Sequence, residues 1–361
     1  MITPKPGRRC VEAALASLAA LALLAAGCSS PPSPTTAAAP SLLDRPSATP
    51  LAPIRPTASP LPRARRLTEP GCCSRHWWSS DSGRIYFVDD PEGEEPLGIY
   101  AVPVEGGPAA LVSTSVVGGD VEAPVTPPDA PLILPPAFHL PAEAANVRLA
   151  PGGAAVAWSV GSDLPINLDR RQRSVWVADG PGGGRRVAVL IGGDLIGWGE
   201  DGSAVVATGR LRDGGPAGVW RIPVDGAPPV QLAEGDRPRG VRLSASGRWV
   251  AFYLAFESDP TRDGLWIVGS GGGAPRRLEA FGSYRWGSPD LLFLVPLAGP
   301  HDSLSLAAYD PATAETQVIR PDDAFPGGIA ANDWSVSPDG RWAAYRSAAD
   351  AALWVVPLRS D

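Results

Sequence analysis

The chain is short of the residues that usually mark a chemical site. Its 361 residues include three histidines, four cysteines, one methionine and a single lysine, Lys5. His76, His139 and His301 lack ligand spacing such as His-x-x-x-His, and no cysteine cluster accompanies them, so no metal and no other cofactor is expected. No Gly-x-Ser-x-Gly segment exists to seat a serine nucleophile on a strand-to-helix elbow. The glycine runs 182–184 and 271–273 fall between strand-like segments rather than before a helix, which removes phosphate loops. Asp89, Asp90, Glu92, Glu94 and Glu95 crowd one stretch but lack the alternating Asp pattern and central Gly of a calcium loop, and read as a solvated acidic turn. With no catalytic constellation, an enzyme is not expected.

Long apolar runs are equally scarce. The one that stands out, Ala13 to Ala26, follows Lys5, Arg8 and Arg9 and is too short and alanine-rich for an ordinary spanning helix. It ends Leu24-Ala25-Ala26-Gly27-Cys28, which resembles a bacterial lipobox and implies that residues 1–27 are a signal peptide and that Cys28 carries lipid such as palmitate. Residues 28–63 are rich in Ser, Pro, Thr and Ala without any apolar repeat, as a flexible tether would be. The expected location is therefore extracytoplasmic, with the membrane touched only through the lipid at Cys28.

Charge narrows the partners. The chain carries a net −7, and because signal and tether hold an excess of arginine the remainder is more acidic still. That balance argues against nucleic acid and anionic lipid as ligands. Cys10 leaves with the signal, so Cys72 and Cys73 alone remain beside Cys28. They either form a vicinal disulfide, bridge to a partner or stay buried as thiols.

What the sequence does have is repetition. Six copies share a turn, an apolar strand, a variable loop, a strand centred on Trp or Tyr, a Gly-rich turn and a short strand ending in Leu or Val. Pro338-Asp339-Gly340 followed by Trp342-Ala343-Ala344-Tyr345 and Leu353-Trp354-Val355-Val356 is the clearest copy. Ala245-Ser246-Gly247 with Trp249 to Phe252 and Leu265 to Val268 is another. Short β-branched and aromatic runs bounded by Gly, Pro and Asp read as strands, and helical periodicity is almost absent. A four-stranded unit recurring every ~45 residues is the signature of a propeller blade.

The copies resemble the WD40-like repeat of TolB-type β-propellers, with Ser337-Pro338-Asp339-Gly340 before the second strand and Trp354 in the third. The resemblance spans residues 65–361; Ser288-Pro289-Asp290 lacks the Gly and Ala150-Pro151-Gly152-Gly153 lacks the Asp. It implies an all-β fold, a six-bladed propeller of four-stranded antiparallel blades over residues 64–361, and a monomer that acts as an interaction module of the cell envelope. The hydrolase domain joined to related propellers in prolyl-peptidase-type enzymes is not expected after the last repeat. Since that repeat stops at Pro357-Leu358 without an outer strand, Arg65-Arg66-Leu67 is expected to supply it and clasp the ring.

Candidate sites follow from blade geometry. First-to-second and third-to-fourth turns share one end of the blades and are tight; the remaining connections share the other end and are long. Recognition is expected at the long-loop end, where all three histidines are also placed. The longest loop, 113–145, carries Leu132, Ile133, Leu134, Phe138 and His139 in a proline-rich frame, either as a partner-docking tip or packed along the first two blades. Arg148, Arg242 and Arg285 recur on innermost strands; they either converge on a carboxylate or phosphate or pair with groups of the adjacent blade. The main expectation is binding of another envelope protein. A small-molecule or glycan receptor at the channel is the alternative, and a propeller hydrolase or lyase comes third.

Overall fold

In the computed structural model, residues 63–359 are described except for 74, 91–96, 115–137, 139, 162–169, 181–182, 213, 256, 258, 289, 298–303 and 321–322. The described residues form an all-β structure of antiparallel strands with two short 3-10 turns, Pro151–Gly153 and Pro260–Arg262. Cys28 and the whole of 1–62 lie outside them.

Six meanders appear where six repeats are read. They are β1 (Arg65–Arg66), then β2 (Arg75–Trp78), β3 (Arg84–Asp89), β4 (Gly98–Pro103) and β5 (Ala110–Ser113), then β6 (Ala145–Leu149), β7 (Val156–Gly161), β8 (Gln172–Ala178) and β9 (Arg185–Ile191). The third meander is β10 (Leu195–Trp198), β11 (Ala204–Leu211), β12 (Ala217–Pro223) and β13 (Val230–Glu234), and the fourth β14 (Arg239–Leu243), β15 (Trp249–Leu254), β16 (Gly264–Gly269) and β17 (Arg276–Leu278). The fifth is β18 (Gly282–Gly287), β19 (Leu291–Pro296), β20 (Leu306–Asp310) and β21 (Glu315–Arg320), and the last β22 (Ile329–Val336), β23 (Trp342–Ser347) and β24 (Leu353–Pro357). The first, fourth and fifth meanders are separate four-stranded sheets, and the last is completed in the order β1-β24-β23-β22.

The second and third meanders are not separate. β11 runs on past its own hairpin, and Arg210 and Leu211 pair with Ile191 and Leu190 of β9, giving one eight-stranded sheet. Glycine makes the crossing sterically open. A side chain at Gly193 would place its Cβ 2.0 Å from the Thr208 carbonyl oxygen, and Gly209, at φ +108, bends β11 in a region that L side chains rarely adopt.

Burial follows strand position within each meander. From the second meander onward, second strands are buried on both faces, as in Val156 to Ser159, Ala204 to Ala207 and Leu292 to Val295, whereas β3 alternates and the outer strands β5 and β17 are mostly exposed. Such runs of Val, Ala, Leu and Phe without polar alternation mark strands sandwiched between neighbours. Shared cores join the second meander to the third, the third to the fourth, the fourth to the fifth, the fifth to the last and the last to the first.

Tryptophans on first strands tie these seams at their inner edge. Each donates its indole N–H back to the first strand of the preceding meander: Trp198 to the Arg148 carbonyl at 2.9 Å, Trp286 to the Arg242 carbonyl at 3.0 Å, Trp334 to the Ser283 hydroxyl at 2.8 Å and Trp78 to the Ser335 hydroxyl at 3.0 Å. An indole N–H taken from water is stabilised by an acceptor, and each of these bonds also ties neighbouring sheets at one offset. The N-terminal segment adds to the last meander as its sequence predicts, with Arg65 opposite Val355, Arg66 opposite Trp354 and the Leu67 amide bonded to the Leu353 carbonyl at 2.8 Å. The Arg65 guanidinium then reaches the Val104 carbonyl of the first meander at 2.7 Å.

Candidate functional site

The polar groups of the fold gather where the last meander meets the first and the fifth. On β22, Asp333 and Ser335 are two residues apart and so share one face of the strand. Both meet His76: Nδ1 lies 3.3 Å from Asp333 Oδ1, and Nε2 lies 3.0 Å from Ser335 Oγ. Ser335 Oγ also accepts the Trp78 indole N–H. The His76 side chain is 2 % exposed and Asp333 28 %. Burial drives the imidazole below its usual pKa, against the opposing pull of the Asp333 carboxylate. Arg346 completes the cluster, with Nε 3.5 Å from Asp333 Oδ2 and Nη1 donating to the Cys73 carbonyl at 3.3 Å.

His76 was expected on a connection, and here the structure corrects the sequence reading. It stands inside β2, paired opposite Phe87, because the four residues Arg75-His76-Trp77-Trp78 alternate half-buried and buried as an edge strand does. His139 and His301 lie outside the described residues, as do Leu132, Ile133 and Leu134. Phe138, the described member of that loop set, is half-buried against Val156, Trp158 and Ala178 of the second meander.

The three arginines do lie on first strands, but they divide into two kinds. Arg148 and Arg285 reach forward to the next meander with the same geometry: Arg148 Nε donates to the Ile196 carbonyl at 3.3 Å and Nη1 to the Val147 carbonyl at 3.1 Å, while Arg285 uses Nε for the Trp334 carbonyl at 2.8 Å and Nη1 for the Tyr284 carbonyl at 2.8 Å. Arg285 adds Nη2 to the Asn332 carbonyl at 2.9 Å and lies over the Trp334 ring at 5.0 Å. Arg242 is exposed, and among the described residues its guanidinium has no hydrogen bond or ion pair. Burial and then the charge of Arg242 push Arg285 down to about 10. The Arg285 guanidinium thus lies at the seam between the fifth and last meanders, and that of Arg148 at the seam between the second and third.

Cys72 and Cys73 are joined to each other by a disulfide, and both are buried in the core shared by the first and last meanders. Cys73 adopts φ +62. Its amide donates to Asp89 Oδ1 at 3.4 Å, so the linked pair is held from both the first and the last meander.

Sequence reading did not find the cluster of His76, Trp78, Asp333, Ser335 and Arg346. Its one local sign is the Asp333-Trp334-Ser335 spacing ahead of the last repeat, which places the two polar residues on one side and the tryptophan on the other. Their partner histidine is more than 250 residues away, separated from Ser335 by 259 positions.

No family model matches the chain, and no curated protein does. Among solved structures it is similar to a TolB-type protein from Agrobacterium tumefaciens, at 18% identity over 79% of this chain and 90% of that one with a TM-score of 0.37. It is also similar to the β-propeller domain of the trilobed protease from Pyrococcus furiosus, at 14% identity over 79% of each chain with a TM-score of 0.39. A third is the oligogalacturonate lyase from Vibrio parahaemolyticus, at 8% identity over 81% of this chain and 80% of that one with a TM-score of 0.43. The structural neighbours include TolB-type and other propeller proteins.

Proposed function

We propose that this chain is a membrane-anchored, extracytoplasmic six-bladed propeller that binds another protein of the cell envelope through its long-loop end. Lipid at Cys28 and the tether 28–63 would hold the body, 64–361, off the membrane. The sixth seam, between the first and second meanders, would close the ring against the buried face formed by Val156, Trp158 and Ala178.

One observation carries the choice of face: the two ends of the meanders are chemically different. At the turn end, side chains cap their own turns, as in Ser79 to Asp81 at 2.6 Å, Ser203 to Asp201 at 2.7 Å and Ser337 to Asp339 at 2.6 Å. Neighbouring turns also bond across seams, Ser246 Oγ to Asp290 Oδ2 at 2.7 Å and the Asp339 amide to Ser82 Oγ at 3.1 Å. Little hydrogen-bonding capacity is left over there. The opposite end exposes three large apolar side chains at strand ends, Leu97 49%, Phe281 57% and Leu297 60%, against one, Val230 47%, at the turn end. Phe281 and Leu297 are adjacent, the Leu297 amide donating to the Phe281 carbonyl at 2.9 Å. Exposed apolar side chains at strand ends, two of them adjacent, suit a protein partner.

The test is cross-linked capture from envelope membranes with the full lipidated chain beside a variant carrying Leu97→Asp, Phe281→Asp and Leu297→Asp. A specific protein retained by the first and lost by the second is the expected result. Equal recovery by both baits would move recognition away from this end.

A further inference from the structure

Cys72 and Cys73 occupy the segment between β1, the outer strand of the last meander, and β2, the first strand of the first. Their disulfide joins adjacent residues. By the chain-entropy account, a disulfide stabilises a fold by constraining the unfolded chain, and the gain grows with the length of the closed loop. A bond between neighbours closes the shortest loop there is, so it constrains the unfolded chain least. Its effect is on the local backbone of the folded chain instead.

That backbone is the one at Cys73, whose φ of +62 lies in the left-handed region that L side chains rarely adopt. In this conformation its amide donates to Asp89 Oδ1 of the first meander at 3.4 Å, and its carbonyl accepts from Arg346 Nη1 of the last at 3.3 Å. Nearer β1, the Gly71 amide donates to the Asp350 carbonyl at 2.8 Å and Thr68 Oγ1 accepts the Leu353 amide at 2.9 Å. Both cysteines pack in one core with Leu67, Leu353 and Val355. Glu69, Pro70 and Gly71, immediately before them, are exposed. The pair thus lies directly beneath the surface, and local opening of that turn brings it to a reductant.

We propose that the Cys72–Cys73 pair is a redox switch on the clasp between the first and last meanders, with a dithiol as its reductant. A thiolate of the dithiol attacks one of the two sulfurs and breaks the bond between them, and its second thiol then displaces the mixed disulfide. Two electrons and two protons pass to the pair, which ends as two thiols, while the dithiol ends as a disulfide. With its sulfur released, Cys73 relaxes out of the left-handed region, and its amide and carbonyl leave Asp89 and Arg346. The segment that anchors β1 to the first meander is then freed, and the seam loosens. This switch is independent of the partner surface at Leu97, Phe281 and Leu297.

Amide exchange on the full chain, in native buffer with and without dithiothreitol, tests it, with the state of both cysteines read by alkylation and mass spectrometry. Dithiothreitol should reduce the pair without unfolding the chain, and the amides of Leu67 and β24 should then exchange roughly tenfold faster or more. Reoxidation with diamide should restore the slow rates. A variant carrying Cys72→Ser and Cys73→Ser should exchange at the fast rates from the outset and ignore dithiothreitol. Reduction and reoxidation of the parent chain can be followed whether or not that variant folds. Equal exchange in the oxidised and reduced parent, a pair that resists reduction until urea unfolds the chain, or a response to dithiothreitol in the variant would overturn the proposal.

Discussion

His76 meets water throughout the unfolded chain and almost none in the fold, where Asp333 and Ser335 occupy its two ring nitrogens. Burial lowers its pKa, so at mildly acidic pH the unfolded chain takes up a proton that the folded chain resists. The stability that neutral His76 contributes is therefore complete above the unfolded value, about 6.5, and is lost as pH falls below it toward the folded value. Urea midpoints measured between pH 7.5 and 5.5 should fall with pH, and His76→Gln should flatten that slope. A slope unchanged by the substitution would remove His76 from the account. The composition and the three-histidine count could not have indicated this role, because nothing in the neighbourhood Arg75 to Trp78 marks the histidine as paired. The arginines were more legible: their recurrence on first strands could be read directly, including the alternative that they bond to the adjacent meander, which Arg148 and Arg285 do.

At the scale of elements, the second and third strands were the most legible, since a run such as Trp249-Val250-Ala251-Phe252 between Gly247 and a polar loop has few other conformations available. The union of β9 with β11 was not legible. It depends on Gly193 and Gly209 passing within van der Waals contact of each other's backbone, and a glycine in a strand reads the same whether it bends the chain or merely ends it. Gly193→Ala should force a Cβ against the Thr208 carbonyl and separate the two meanders. Overpacking of this kind costs about 1–3 kcal/mol, which a shift in the urea midpoint would register. A midpoint equal to that of the parent would mean that the crossing has slack.

For the whole molecule, the decisive contact is the one made by the smallest strand. β1 contributes two paired residues, yet it supplies the outer strand of the last meander, buries Leu67 in the core shared with the first and carries the Arg65 bond to Val104. Removing residues 64–68 would leave β24 as an open edge and vacate that core position. The melting temperature should drop by several degrees, and unfolding should begin at the seam between the last and first meanders, which amide exchange in β24 would reveal first. An unchanged melting temperature would show that the clasp is ornamental to stability.

The sequence alone determined the elements and their order, because turn chemistry and strand composition act over a few residues and recur at each copy. It also determined which segment completes the last meander, since one copy is a strand short and one spare strand stands before the first. The tertiary structure decided how the copies interlock. Trp198 meets Arg148 across 50 positions, Trp286 meets Arg242 across 44, Trp334 meets Ser283 across 51 and Trp78 meets Ser335 across 257. Those bonds form only once each sheet has twisted and stacked on its neighbour, and that stacking sets which polar groups are buried, which find partners and which, like Arg242, are left facing out with charge to spare.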